Sequence, residues 1–352
     1  MSSRMFKYHT LTNAPKVLPK RVRLFLGSVT QSAIGRMYLN DPSKDTFEAT
    51  LTPTLRSNAS NAQFSPDGKF FVVTSMNAPY AVLFRRDDDG NYVEVADSGL
   101  NPTNVASVVK GKSICFSTDG SILTFSGNGS RLYFFRRRAD GSTYDFVSKV
   151  ASSSDFSALS PDGQYAAIAA GGDQLYMYKR NGDVFSYLNF YDLNLSSGSI
   201  QHVVWGKDGK YLFVCTSNES RILAIVSFFN EVMTQVSSAT GPGYPESIAV
   251  SPDGQHIAIT GTNYQSSFLQ MYKWEPTIPR LTTITMTGRP AEASYGAAFS
   301  PDGVYFAYGH RTLNNSSLKV WRRIGDAYIL LNTGIPAFPE NSGCRPVFSP
   351  IV

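Results

Sequence analysis

The sequence is short of the residues that mark several function classes. Its 352 residues hold three cysteines and four histidines. Cys115, Cys215 and Cys344 are far apart and odd in number, which speaks against a disulfide framework and shows no zinc spacing. Cys115 and Cys215 lie inside the strand-like runs SICFS and YLFVCTS, where a free cysteine packs as a small hydrophobe. His9, His202, His256 and His310 lack a spaced His, Cys or acidic partner, so no metal ligand set is read from them and each is expected to be an ordinary packed or solvated histidine. Charged residues make up 17% of the chain, low against a usual share of about 25%, and the net charge of +5 does not by itself argue for nucleic acid. No run approaches the roughly 18 apolar residues of a membrane span. The N-terminal stretch MSSRMFKYHTLTNAPKVLPKRVRLF has basic residues but no apolar core, so no secretory signal is expected. Nucleophile elbow, phosphate-loop and dinucleotide motifs are missing. The segment RDDDGNYVE (86–94) has the wrong spacing for a calcium loop and reads as a hairpin turn. The sequence therefore assigns no catalytic, cofactor-binding or metal-binding residue, and no cofactor.

What replaces the missing charge is Ser, Thr, Asn and Gly, a mix that suits short strands joined by turns. One heptad dominates. FSPDGKF at 64 returns as FSTDGSI at 116, LSPDGQY at 159, WGKDGKY at 205, VSPDGQH at 250 and FSPDGVY at 299. The aspartates Asp67, Asp119, Asp162, Asp208, Asp253 and Asp302 recur every 43 to 52 residues. A period of about 40 to 50 with strand-rich units is the signature of propeller blades. Proline at the second position of a type I turn, Asp at the third and a left-handed glycine after it make a tight hairpin, so these aspartates read as turn formers. Each unit continues with an apolar strand (KFFVVTS, QYAAIAA, KYLFVCTS), then a third strand ending in an aromatic residue and usually basic ones (AVLFRR, LYFFRRR, LYMYKR, LKVWRR), then a short turn and a fourth strand.

The expected fold is thus all-β: a seven-bladed β-propeller of four-stranded antiparallel blades. The strand candidates RVRLFLG, IGRMYL and TFEATL at the N-terminal end lack an inner strand, and RPVFS at 345–349 is an inner strand without a blade. Joined, they close the ring and remove its open edges. The expected organisation is an N-terminal arm at 1–20 and a propeller at 21–352, with the last blade formed by 21–52 plus 344–350.

These units resemble WD-repeat and YVTN-type propellers. The WD dipeptide is replaced by the pairs Phe84–Arg85, Phe135–Arg136, Tyr178–Lys179 and Trp321–Arg322. The segments YGAAFSPDGVYFAYGHRTLNNSSLKVWRRIGDAYILL (295–331) and SALSPDGQYAAIAAGGDQLYMYKRNGDVFSYL (157–188) are closely similar to repeat propellers of tailed-bacteriophage structural proteins. That resemblance implies a non-enzymatic virion component (tail, collar, fibre or decoration protein), present in several copies and binding other virion proteins or a host surface. It also implies location in the virion, or otherwise in the cytoplasm. The alternatives are a propeller enzyme of lactonase type and an intracellular WD-repeat-like scaffold.

Two features invite a binding role. The basic clusters Arg85–Arg86, Arg136–Arg137–Arg138, Lys179–Arg180 and Arg322–Arg323 share one face with the SPDG turns. They read either as wetted charges over aromatic neighbours, neutralised by nearby aspartates, or as a basic rim for an acidic partner, with protein favoured over nucleic acid. The opposite face collects longer loops at 98–112, 190–200, 238–247, 286–296 and 333–344, and rigid scaffolds often bind through such loops.

Overall fold

The computed structural model describes residues 21–350 except 29–34, 56–58, 76–79, 97, 101–110, 128–130, 152–155, 170–171, 242, 263–266, 289–293, 311–316, 334 and 336–343. The proposed arm at 1–20 and parts of four of the five long loops fall outside these residues.

The described chain forms seven four-stranded antiparallel sheets, each running in order from an inner to an outer strand. The first six blades span 59–94, 111–151, 156–192, 200–239, 244–284 and 294–330. In the seventh, the inner strand Cys344–Phe348 pairs with Arg23–Ser28, followed by Gly35–Asp41 and Thr46–Thr50. Its register sets Leu24 against Phe348 and Ser28 against Cys344, and Ser349 N donates to Arg23 O at 2.8 Å. The closure expected from the two tails is therefore present.

The turn chemistry explains why the heptad recurs. Gly68 N donates to Ser65 O at 2.9 Å, closing a turn in which Gly68 has φ of +67°. Any other residue there would be strained. The serine does more than fill space. Ser65 Oγ donates to Asp67 Oδ1 at 2.6 Å and accepts from Phe70 N at 2.9 Å, and Asp67 Oδ1 also accepts from Lys69 N. The same arrangement repeats at Ser117, Ser160, Ser251 and Ser300. Blade four, with Gly206 in that place, lacks it.

There is no single core. Seven apolar clusters lie between neighbouring blades, one at each junction. The closing junctions are as well filled as the rest: Phe25 is fully buried 4.6 Å from Phe71 of the first blade, and Phe348 packs with Leu24, Leu26 and Tyr305.

The basic clusters take part in these junctions. The first member of three of them reaches forward to an acid in the outer hairpin of the next blade, Arg136 to Asp183, Lys179 to Glu231 and Arg322 to Asp45, and Lys273, in the same place in blade five, does so to Asp326. The residue that opens the second strand joins the same acid, as Tyr165 does with Glu231, His256 with Asp326 and Tyr305 with Asp45. The second member reaches back to an SPDG aspartate, as in Arg137–Asp67 and Arg323–Asp253. These pairs are at least partly exposed and screened by solvent, so apolar burial dominates the junctions.

Candidate functional site

The seven inner strands surround a central channel with a cavity of about 490 Å³. Five of them carry a bulge at the same place, between Ala59 and Asn61, Gly111 and Ser113, Ile200 and His202, Pro245 and Ser247, and Ser294 and Gly296. A bulge re-aims the residue that follows it. Asn61, Ser113, His202, Ser247 and Gly296 all line the channel, together with Ser157 and Arg345 from the two unbulged inner strands. The wall is polar at this end. At the SPDG end it presents Thr118, Pro161, Lys207 and Pro252. Lys207 and Arg345 are cationic, and among the described residues no carboxylate lines the cavity.

His202 and Arg345 are the chemically distinctive pair. His202 is half-buried, its ring 4.9 Å from Phe156, and its buried Nδ1 has no hydrogen-bond partner among the described residues. Burial and then the positive charge of Arg345 push its pKa down to about 4, so it is neutral at pH 7 and holds a free lone pair. Arg345 has room because Gly296 lacks a side chain: a Cβ there would stand 3.3 Å from Arg345 Cγ. A neutral imidazole on blade four and a guanidinium on blade seven, facing the same channel from opposite sides, can take up a proton and stabilise a developing anion.

The other histidines differ. His256 is fully buried under the SPDG face, with Nδ1 2.5 Å from the Tyr328 hydroxyl and Nε2 2.9 Å from Asp326, a structural junction. His310 is buried in strand Tyr305–His310, and His9 lies outside the described residues. Cys215 is buried as expected, whereas Cys115 is half-buried and lines the channel. The 86–94 segment is the outer hairpin of blade one, with Asp87 Oδ1 accepting from Asn91 N. Among the described residues no three His, Cys, Asp or Glu side chains converge, and no helix is long and apolar enough to cross a membrane. His202 could not be singled out from sequence, because which inner-strand residue faces the channel depends on the bulge. Gln201 and His202 alternate in the chain, and one extra residue exchanges their faces.

No protein-family model and no curated protein sequence matches the chain. Solved structures do. A putative 6-phosphogluconolactonase from Bacteroides fragilis is 14% identical with a TM-score of 0.74, covering 95% of this chain and 99% of that one. The periplasmic gluconolactonase PpgL of Pseudomonas aeruginosa is 17% identical with a TM-score of 0.69, covering 94% and 100%. The Cps50 (Swd1) β-propeller domain of Myceliophteria thermophila is 14% identical with a TM-score of 0.61, covering 82% and 89%. At these identities the likeness establishes the fold, including its kinship in shape with a WD-repeat propeller. It also corrects the expectation of a non-enzymatic virion component: among the structures that share nearly the whole chain's architecture are ones named as lactonases, and no phage relationship appears. The reason is physical. SPDG and the aromatic–basic pairs serve hairpins and blade junctions, so their resemblance to phage repeats reports propeller construction, not function.

Proposed function

We propose that the protein is a lactonase that hydrolyses a sugar lactone in the central channel. The observation that carries this reading is that neutral His202 and Arg345 face one cavity from opposite sides of the channel. In this scheme His202 takes a proton from water as the water oxygen bonds to the lactone carbonyl carbon. The tetrahedral oxyanion faces Arg345. The ring C–O bond then breaks, and His202 returns its proton to the alcohol oxygen, leaving the open-chain acid. A wall with Lys207 and Arg345 and without carboxylates suits a substrate bearing a phosphate or carboxylate. The names of the structural neighbours support the same chemistry.

The test is direct. Glucono-δ-lactone and its 6-phosphate are offered to purified protein, with proton release followed against spontaneous hydrolysis. The phosphorylated lactone is expected to be the better substrate. His202→Ala and Arg345→Met should each lower kcat/KM by about 100-fold or more. Rates equal to the spontaneous reaction for both lactones, or full activity in both variants, would refute the proposal.

A further inference from the structure

We infer that a notch between blades four and five, on the SPDG face, is a binding site for a guanidinium group carried by an arginine or arginyl ligand. It is separate from the lactonase reading and does not depend on it.

The argument starts from the junction that the molecule builds elsewhere. Between blades one and two, Arg137 lies 4.9 Å over the Phe70 ring while its Nη1 meets Asp67 Oδ2 at 2.6 Å. Between blades five and six, Arg323 meets Asp253 at 2.7 Å. The arginine follows a fixed register: the backbone N of Arg137 donates to Ser121 O, and that of Arg323 to Val304 O. In blade five the residue in this register is Trp274, whose N donates to Gln255 O at 2.6 Å. The acid and the aromatic of the junction are still present, as Asp208 and Tyr211; the Trp274 ring packs 5.5 Å from Tyr211, but among the described residues no cation meets the acid.

Three observations indicate that the place is open. A cavity of about 400 Å³ remains there, with Asp208, Tyr211, Phe213, Trp274 and Pro276 among its walls. Blade four also lacks the arginine, having Phe228 in register, but Phe228 packs 4.9 Å from Tyr165 and leaves about 120 Å³. Asp208 is the least satisfied of the six motif aspartates: with Gly206 in place of serine, its exposed carboxylate receives one hydrogen bond, from Lys210 N. Finally, Trp274 is 2% exposed and its Nε1 has no partner, whereas Trp205 and Trp321 donate to Ala158 O and Thr287 O. An indole N–H is a donor only. A cation for Asp208 and a carbonyl acceptor for Trp274 are what an arginyl group supplies together. Two other charges face the notch: Asp253, already held by Arg323, and exposed Lys207, which opposes a cation.

The probes are N-acetyl-arginine amide, which mimics a residue in a partner chain, and free arginine, titrated against full-length protein and read by tryptophan fluorescence and calorimetry. Saturable binding with Kd near 1 mM, about −4 kcal/mol, is expected for at least one of them. The tighter probe identifies the source. Asp208→Asn should weaken binding at least tenfold, and Lys207→Ala should tighten it. Both positions are exposed, and unchanged melting verifies that the variants are folded. No saturation with either probe, equal affinity in Asp208→Asn, or weaker binding in Lys207→Ala (the mark of an anion site) would overturn the inference.

Discussion

Phe348 offers the sharpest test of how the ring is closed. It belongs to the short strand Cys344–Phe348, is 7% exposed and contacts the cluster that joins blades six and seven. Its ring centroid lies 6.5 Å from that of Phe47. Phe348→Ala deletes a buried ring from an interface formed by chain ends more than 300 residues apart, since Phe348 pairs with Leu24. Large-to-small changes of this kind cost about 3 kcal/mol or more, lost transfer energy plus the cavity left behind. Unfolding entropy of about 2.1 cal/mol/K per residue gives roughly 0.7 kcal/mol/K for this chain, so Tm should fall by about 4 °C. The control is Phe229→Ala, the same deletion at a side chain 72% exposed in the outer hairpin of blade four, where almost no shift is expected. Scanning calorimetry of both variants decides the matter. If Phe348→Ala melts no lower than Phe229→Ala, the C-terminal strand does not close the ring and the seventh blade is wrongly assembled.

Other outcomes follow from individual contacts. Ser251→Ala leaves the buried His256 N–H and Asp253 without their shared hydroxyl, costing about 1 to 3 kcal/mol and lowering Tm by roughly 1.5 to 4 °C. Burial holds the folded pKa of His256 below 6.5 and brings that of His202 to about 4, so the unfolded chain gains protons first on acidification. The stability they confer is complete above pH 6.5 and is lost as pH falls toward 4; His202→Gln should flatten that slope in Tm measured against pH. Gly296→Ala places a Cβ against Arg345, so it should lower lactone hydrolysis with a smaller effect on melting; equal loss of both would show that Gly296 matters for packing alone.

The fold was legible because its signals are local. An aspartate and a left-handed glycine, in five of six cases with a serine before them, define the hairpins of six blades, and their spacing gives the repeat. The leftover strand RPVFS and the unpartnered strands near Phe25 implied closure through the same pattern. Function was not legible on those terms, and the most repetitive residues pointed away from it. The basic pairs serve junctions, joining acids 40 to 70 residues distant, as in Arg136–Asp183 and Arg137–Asp67. His202 and Arg345 are ordinary residues of two strands more than 140 positions apart.

The hairpins, the number of blades and the joining of the two ends can be read from the amino-acid order alone, since each depends on turn geometry or edge pairing that a few neighbouring residues impose. What faces the channel and what fills the junctions is settled by the folded ring. Bulges select the inward residues, ring closure sets Arg345 across the channel from His202, and a tryptophan in an arginine's register opens a notch. These depend on contacts between segments far apart in the chain, which no local pattern encodes.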